Sequence, residues 1–310
     1  MPALNEKIME IAVKRGFLIP AAEIYGSPAG FYDYGPAGAA IKRHVQELWR
    51  RIFIQQPGYH EIETGLVLPE NVLKASGHAT HFADPLTECG NCKQKWRADH
   101  LLEKQTLKSW AGKPPQELTE GLKANATKCP ACGLSQLGPV GWFNLMFATH
   151  IGADISNIAY LRPETAQGIF LDFGRVYREH GAKLPIAIGQ VGRSFRNEIS
   201  PRQGLIRMRE FTQMELEYFF NPKYSDIDGF AKVAGEKVRV LPPADGDATA
   251  PVQDISLSDA LDRGYFPNQI MAMMVYRTQK FYQAAGIPRD KYHFKVMPKD
   301  ETPHYSKGNV

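Results

Sequence analysis

Apolar residues at Ile41, Val45, Leu48, Trp49 and Ile52 fall on one stripe of a helix that ends near Pro57-Gly58. A shorter amphipathic helix opens the chain, with Leu4, Ile8, Ile11 and Ala12 on one face and Gly16 as its stop. A third spans Asn268 to Ala285, with Ile270, Met273, Met274 and Phe281 inward and Gly286-Ile287-Pro288 closing it. Period-two patterns mark the strands. Tyr59 to Leu68 reads as one strand closed by Pro69, and Trp142–Ala148 and Pro185–Val191 read as short buried strands. Met208 to Phe220 alternates over a longer run. Met208, Thr212, Met214, Leu216, Tyr218 and Phe220 line one face, and Arg209, Gln213, Glu215 and Glu217 the other. Ala21 to Gly38 carries Tyr25, Phe31, Tyr32 and Tyr34 among glycines and prolines, which predicts an ordered loop against the core. Asn221 to Ser256 is polar and rich in Pro, Gly and Asp, so residues 221–267 are expected to form a loop-rich insertion or a small subdomain. Strands spaced by long irregular segments, without regular β–α alternation, predict an α+β fold.

Length and charge narrow the picture. At 310 residues the chain has room for about two domains. With 43% hydrophobic and 23% charged residues, it is neither collagen-like, disordered nor a disulfide scaffold. A net charge of +4 is too small for a histone-like role and does not by itself establish a nucleic-acid partner. No apolar run reaches membrane-spanning length, and the first helix contains acids, unlike a targeting peptide. The expected compartment is the cytoplasm, where the four cysteines are reduced and free to bind metal.

Those cysteines form two identical pairs, Cys89-x-x-Cys92 and Cys129-x-x-Cys132, inside a segment (residues 89–132) with two lysine-rich helical stretches. Each short turn aims two sulfurs at one point, which suits tetrahedral zinc with every position filled by protein, hence a structural site. The spacer is longer than a compact zinc ribbon uses, so a loop and helix are read between the knuckles. A redox pair would need only one such motif, in a βαβ setting that is absent. Lys93, Lys95, Lys104, Lys108, Lys113, Lys123 and Lys128 fit either a nucleic-acid contact or a solvated helix face.

The densest chemistry lies between Gly192 and Phe220. A strand runs into Phe195-Arg196-Asn197-Glu198, a loop follows through Pro201 and Gly204, and a second strand begins at Arg207-Met208-Arg209-Glu210-Phe211. Pairing across that loop would bring Arg196, Arg209 and Glu215 to one sheet surface. Such charges beside Phe195, Phe211 and Met214 need a ligand or partners. Arginine forks suit carboxylate and phosphate, and glutamates suit an ammonium or magnesium. The combination predicts a pocket for a small zwitterion and a nucleotide.

This run resembles the second signature motif of the class II aminoacyl-tRNA synthetases, and among them the single-polypeptide, dimeric glycine enzymes. Leu161-Arg162-Pro163-Glu164-Thr165-Ala166-Gln167-Gly168 shares the resemblance, as do Phe31-Tyr32-Asp33-Tyr34-Gly35-Pro36, Val72-Leu73-Lys74-Ala75-Ser76-Gly77-His78 and Arg97-Ala98-Asp99-His100. The helix from Ile41 and the strand ending at Pro69 resemble the first class II motif, which builds the dimer interface in that family. The resemblance implies an antiparallel sheet flanked by helices, in a core formed by residues 1–88 and 133–310.

It also implies roles. Arg196 and Glu198 would be catalytic. Arg196, Asn197 and Glu198 would bind ATP, with Ile206, Arg207, Met208, Arg209, Glu210 and Phe211 forming the adenine wall and loop. Arg97, Glu164, Phe211, Thr212, Gln213, Met214 and Glu215 would form the glycine pocket, with Glu164 and Glu215 receiving the ammonium. Cys89, Cys92, Cys129 and Cys132 would hold structural zinc. The implied substrates are glycine, ATP with Mg2+, and tRNA(Gly); a homodimer is expected, and no membrane. His78, His81 and His100 read as structural histidines.

The family's third motif and its anticodon-binding domain would lie beyond Val310, so the chain is expected to be an N-terminal portion of a longer protein or a split form. A synthetase-like assembly subunit without activity is the alternative reading. It usually lacks the charged site residues that are present here.

Overall fold

The computed structural model describes residues 4–201, 204–243, 251–298, 302 and 306–310. The chain divides into two units: Met1–Ala40, Glu63–Leu171 and Gln190–Glu215 form one, and Ile41–Ile62, Asp172–Gly189 and Leu216–Val310 form the other.

The first unit is built on short antiparallel pairings. Val67–Pro69 and Phe147–His150 flank Ile158–Leu161, while Lys95–Arg97 and Gly141–Asn144 flank Ala83–Glu88. Leu68, Leu73 and Met146 are buried together beneath the first of these sheets. The two helices between the cysteine pairs, Ala98–Thr106 and Pro115–Ala124, close over Ala98, Leu102, Leu118 and Leu122. Gly121 belongs to that contact, since a Cβ there would come within 2.8 Å of the Trp110 ring.

In the second unit, Lys237–Leu241 is the central strand of a three-stranded sheet, antiparallel to Gln253–Ser256 and parallel to Phe294–Lys295. The helix Gln269–Ala284 closes its core, with Val238, Val240, Leu257, Phe266, Ala272 and Met273 buried. Asn268 starts that helix by accepting a hydrogen bond from the Met271 amide at 2.9 Å. The described residues of 221–267, expected to be a loop-rich insertion or a small subdomain, supply two strands and two short helices to this core.

The ten-residue strands Ile186–Phe195 and Glu210–Phe219 are sheet neighbours, and Tyr59–Glu61 pairs in parallel with Ala187–Gly189.

Three local expectations change. Tyr59 to Leu68 is not one strand: Tyr59–Glu61 and Val67–Pro69 belong to different sheets. Between them the Thr64 amide donates to the Gln190 side chain (3.1 Å) and its carbonyl accepts from Arg162 (3.0 Å), so side chains take over what a ladder would use. Trp142–Ala148 likewise splits into Gly141–Asn144 and Phe147–His150, because the Met146 amide is captured by the Asn144 side chain at 2.8 Å. Trp142 is exposed, and Leu145 and Met146 are the buried residues of that run.

The helix Pro36–Trp49 continues as a π-turn, Arg50–Ile54. The extra residue rotates Phe53 and Ile54 inward in place of Ile52. Trp49 stacks on Phe53 (5.5 Å), and Ile41 stays exposed. The apolar face of Leu4–Lys14 is also uncovered, with Leu4, Ile8 and Ile11 exposed. Among the described residues no helix is long and apolar enough to cross a membrane.

Candidate active site

Arg196 follows the strand Ile186–Phe195, and its backbone amide donates to the carbonyl of Arg209, just before the strand Glu210–Phe219, at 2.9 Å, which ties the two strand ends together. Its Nε donates to the Pro163 carbonyl at 3.0 Å. Its guanidinium lies 5.4 Å from the ring centres of both Phe82 and Phe211. Two aromatic faces and one carbonyl leave the planar fork little freedom, so it can present its remaining donors to an anion without reorganising.

Glu164 is held on the same side. Its Oε2 is 3.9 Å from Arg196 Nη2, while its Oε1 accepts from Gln167 (2.8 Å) and lies 3.4 Å from His78 Nε2. The His78 hydrogen bond holds the Glu164 carboxyl below its ordinary range against the upward push of burial, and the nearby positive charge of Arg196 acts in the same direction. His78 is itself oriented by Ser76 Oγ, 3.0 Å from its Nδ1. Glu164, His78 and Gln167 line a cavity of about 360 Å³ with Val72, Ala75 and Phe170 as apolar walls.

Glu215 meets this group through Thr165, whose hydroxyl donates to its carboxylate. Gln213 accepts from the Thr165 amide (3.2 Å) and the Ser194 hydroxyl (3.0 Å). Thus Glu164, Thr165, Arg196, Gln213 and Glu215 gather on one surface within one unit.

The other expected residues lie beside this surface or are engaged elsewhere. Glu198 Oε2 is 3.6 Å from Arg207 Nε, and the Glu198 carbonyl accepts from Arg209 Nη2 at 2.9 Å. Arg209 also donates to the Ala29 carbonyl (2.8 Å), so its guanidinium serves backbone oxygens. Glu210 is ion-paired with Arg193, Met208 is buried and Ile206 is exposed. Asn197 donates its amide to the Leu145 carbonyl at 2.6 Å. Thr212 and Met214 are half-buried on the strand. Arg97 is clasped by Asp99 (2.5 Å) and Asp84 (3.0 Å), within reach of the Glu198 charge.

His78 touches Glu164 although it read as a structural histidine; its only signal was its place in the Val72–His78 stretch. Thr165 and Gln167 lay unremarked inside Leu161–Gly168. Gln190 carried no signal.

The four cysteines come together. Cys89 and Cys132 sulfurs are 3.7 Å apart, Cys92 and Cys129 sulfurs 3.6 Å, and all four lie within 4.8 Å of one another. Those separations are too long for a disulfide and match the edge of a tetrahedron with metal–sulfur bonds of about 2.3 Å. Both knuckles turn alike: Lys93 N donates to Cys89 O (3.0 Å) and Gly133 N to Cys129 O (2.8 Å). Burial pushes the Cys129 thiol up, but the Cys132 and Ala131 amides and neighbouring thiols prevail and bring it down to about 6. The donor set and spacing fit zinc.

Residues 153–294 match the family model for the tRNA synthetase class II core domain (G, H, P, S and T). The curated relatives the chain matches include glycine enzymes. It is 43% identical over 309 residues to the glycine--tRNA ligase of Methanocaldococcus jannaschii, covering 98% of this chain and 53% of that protein. It is 42% identical over 301 residues to that of Methanothrix thermoacetophila and 43% over 301 residues to that of Pyrococcus abyssi, each covering 97% of this chain and 52% of the relative. The chain spans about half the length of the curated relatives it matches.

Proposed function

We propose that the protein carrying this chain is a glycine–tRNA ligase, which activates glycine with ATP and transfers it to the 3′ end of tRNA(Gly). The observation that carries the reading is the convergence of Glu164 and Arg196 on one surface, with Glu215 joined to it through Thr165. A zwitterion needs both signs of charge within the span of a small molecule, and Glu164 and Arg196 offer them, with apolar walls from Val72, Ala75 and Phe170 beside Glu164.

In the first step a glycine carboxylate oxygen bonds to the α-phosphorus of ATP. The bond to the β-phosphate bridge breaks, and pyrophosphate leaves with the electron pair. No residue forms a covalent bond. Arg196 binds the α-phosphate and the carboxylate, Glu164 and Glu215 hold the ammonium, and catalysis is positioning and charge neutralisation. Asn197, Glu198 and the segment from Ile206 to Phe211 hold the nucleotide. Mg2+, bound with ATP, neutralises the departing phosphates. In the second step the terminal ribose hydroxyl of tRNA attacks the glycyl carbonyl, and AMP leaves. Cys89, Cys92, Cys129 and Cys132 would hold zinc, which would tie the two knuckles together as a structural ion. The protein acts as a homodimer in the cytoplasm.

ATP–pyrophosphate exchange with each of the twenty amino acids tests this reading in the full-length protein. Exchange with glycine alone is expected. No exchange by a folded protein would overturn the reading in favour of a non-catalytic synthetase-like subunit.

A further inference from the structure

We infer that Arg162 is the positioning residue of the ammonium pocket: a buried cation that sets, through Thr64, Gln190 and Thr165, where Glu164 and Glu215 stand. The inference rests on the reading of those two glutamates as the seat of the glycine ammonium.

Arg162 is only 2% exposed and heads the largest fully buried side chains of the protein. Its donors go to neutral oxygens. Nε donates to the Arg193 carbonyl (2.7 Å), and Nη1 reaches the Thr64 carbonyl (3.0 Å), the Thr64 hydroxyl (2.9 Å) and Gln190 Oε1 (2.7 Å). Among the described residues no carboxylate lies at ion-pair distance from Arg162; the charges of Glu63 and Glu215 reach it from farther away and only partly offset the cost of burying a cation. What the arginine supplies instead is connection.

Gln190 is fully buried, and its amide donates onward to the Thr165 carbonyl at 3.4 Å. Thr165, also fully buried, donates its hydroxyl to Glu215 and its amide to Gln213. Arg196 meanwhile holds the Pro163 carbonyl. The backbone from Arg162 to Thr165 is therefore gripped from three directions, and Glu164 projects from its middle toward Gln167 and His78.

Two glycines make room for the network. A Cβ on Gly192 would lie 2.1 Å from Arg162 Nη2, and one on Gly168 would lie 2.1 Å from the Thr64 hydroxyl. Lysine cannot replace this fork. It offers one nitrogen where Nε and Nη1 serve groups in different directions.

The test uses the full-length protein and separates KM for glycine from KM for ATP in pyrophosphate exchange, with folding followed by thermal unfolding. A misplacement of about 1 Å in a positioned group can cost about 100-fold. Arg162→Lys is expected to raise KM for glycine by that order and to leave KM for ATP unchanged. Thr165→Val is expected to do the same, and Thr165→Ser, which keeps the hydroxyl, to restore the wild-type KM. If Arg162→Lys does not fold, the Thr165 pair decides. Equal glycine KM for Thr165→Val and Thr165→Ser overturns the proposal, as does a parallel rise in both KM values. Glu215→Gln serves as the control for the pocket itself. If it leaves glycine KM unchanged, the ammonium reading falls and the proposal with it. If it raises glycine KM while Arg162→Lys and Thr165→Val do not, the proposal alone falls.

Discussion

Glu164 Oε2 and Arg196 Nη2 stand 3.9 Å apart, and each is secured by a different neighbour: Glu164 by Gln167 and His78, Arg196 by the Pro163 carbonyl. The pair is therefore held close without collapsing into a tight ion pair. A small zwitterion lying beside the pair, its cationic end toward Glu164 and its anionic end toward Arg196, finds both partners already placed.

Arg196→Ala is expected to abolish adenylate formation while leaving the fold intact. The side chain gives up one hydrogen bond and two ring contacts, together about 1.5–3.5 kcal/mol of stability. Arg196→Lys should not rescue activity, since a point charge cannot bond Pro163 and an anion in the same fork geometry. Pyrophosphate exchange beside a thermal melt measures both. A variant that unfolds would make Arg196 a structural residue.

His78→Ala should move the acid limb of glycine kcat/KM to higher pH. The sign follows from Glu164, whose folded carboxyl titrates below its ordinary range, first because of the His78 hydrogen bond. Its ionised form is thus favoured above the ordinary carboxylate value of about 4.3, and that favour is lost as pH falls through the lowered one. Without His78 the carboxyl takes up its proton at higher pH. A pH–rate profile with an unmoved acid limb would show that His78 does not act on Glu164.

Cys89→Ser is expected to release zinc and loosen the Ala98–Thr106 and Pro115–Ala124 helices. One lost thiolate leaves three ligands, and the two knuckles no longer share a fixed centre. Metal analysis of the purified protein, together with hydrogen exchange across residues 89–132, reports both effects. Wild-type protein purified without metal would refute the assignment.

Gly192→Ala should destabilise the protein by about 1–3 kcal/mol, the usual range for overpacking, because the added methyl meets the Arg162 guanidinium. Gly141→Ala, where nothing lies within 4 Å, is the matched control and should be near neutral. Denaturant melts of the two variants decide it.

Much of this was legible in the chain itself, and the reason is range. The helix that begins at Asn268 and the strand Glu210–Phe219 are set by neighbours a few residues apart, although the faces expected to alternate along that strand are equally half-buried. The two cysteine turns are equally local, although bringing them together requires the whole insertion. The charged run from Phe195 to Glu215 predicts a ligand or partners, and several of its charges find protein partners: Glu210 pairs with Arg193, Glu198 with Arg207, and Arg209 binds carbonyls.

The tertiary structure decided what depends on distant oxygens. Thr64 meets Gln190 and Arg162 across 126 and 98 residues, and those contacts break the strand that Tyr59–Leu68 otherwise promised. His78 meets Gln167 across 89 residues and so comes to stand beside Glu164. Arg209 shows the converse, since a guanidinium expected at a nucleotide is engaged by the Ala29 and Glu198 carbonyls. Hydrophobic period and ligand spacing are properties of a few consecutive residues, and a sequence states them directly. Which buried donor finds which acceptor is set only when remote segments fold against each other, because each buried polar group must be satisfied by whatever the packing brings within reach.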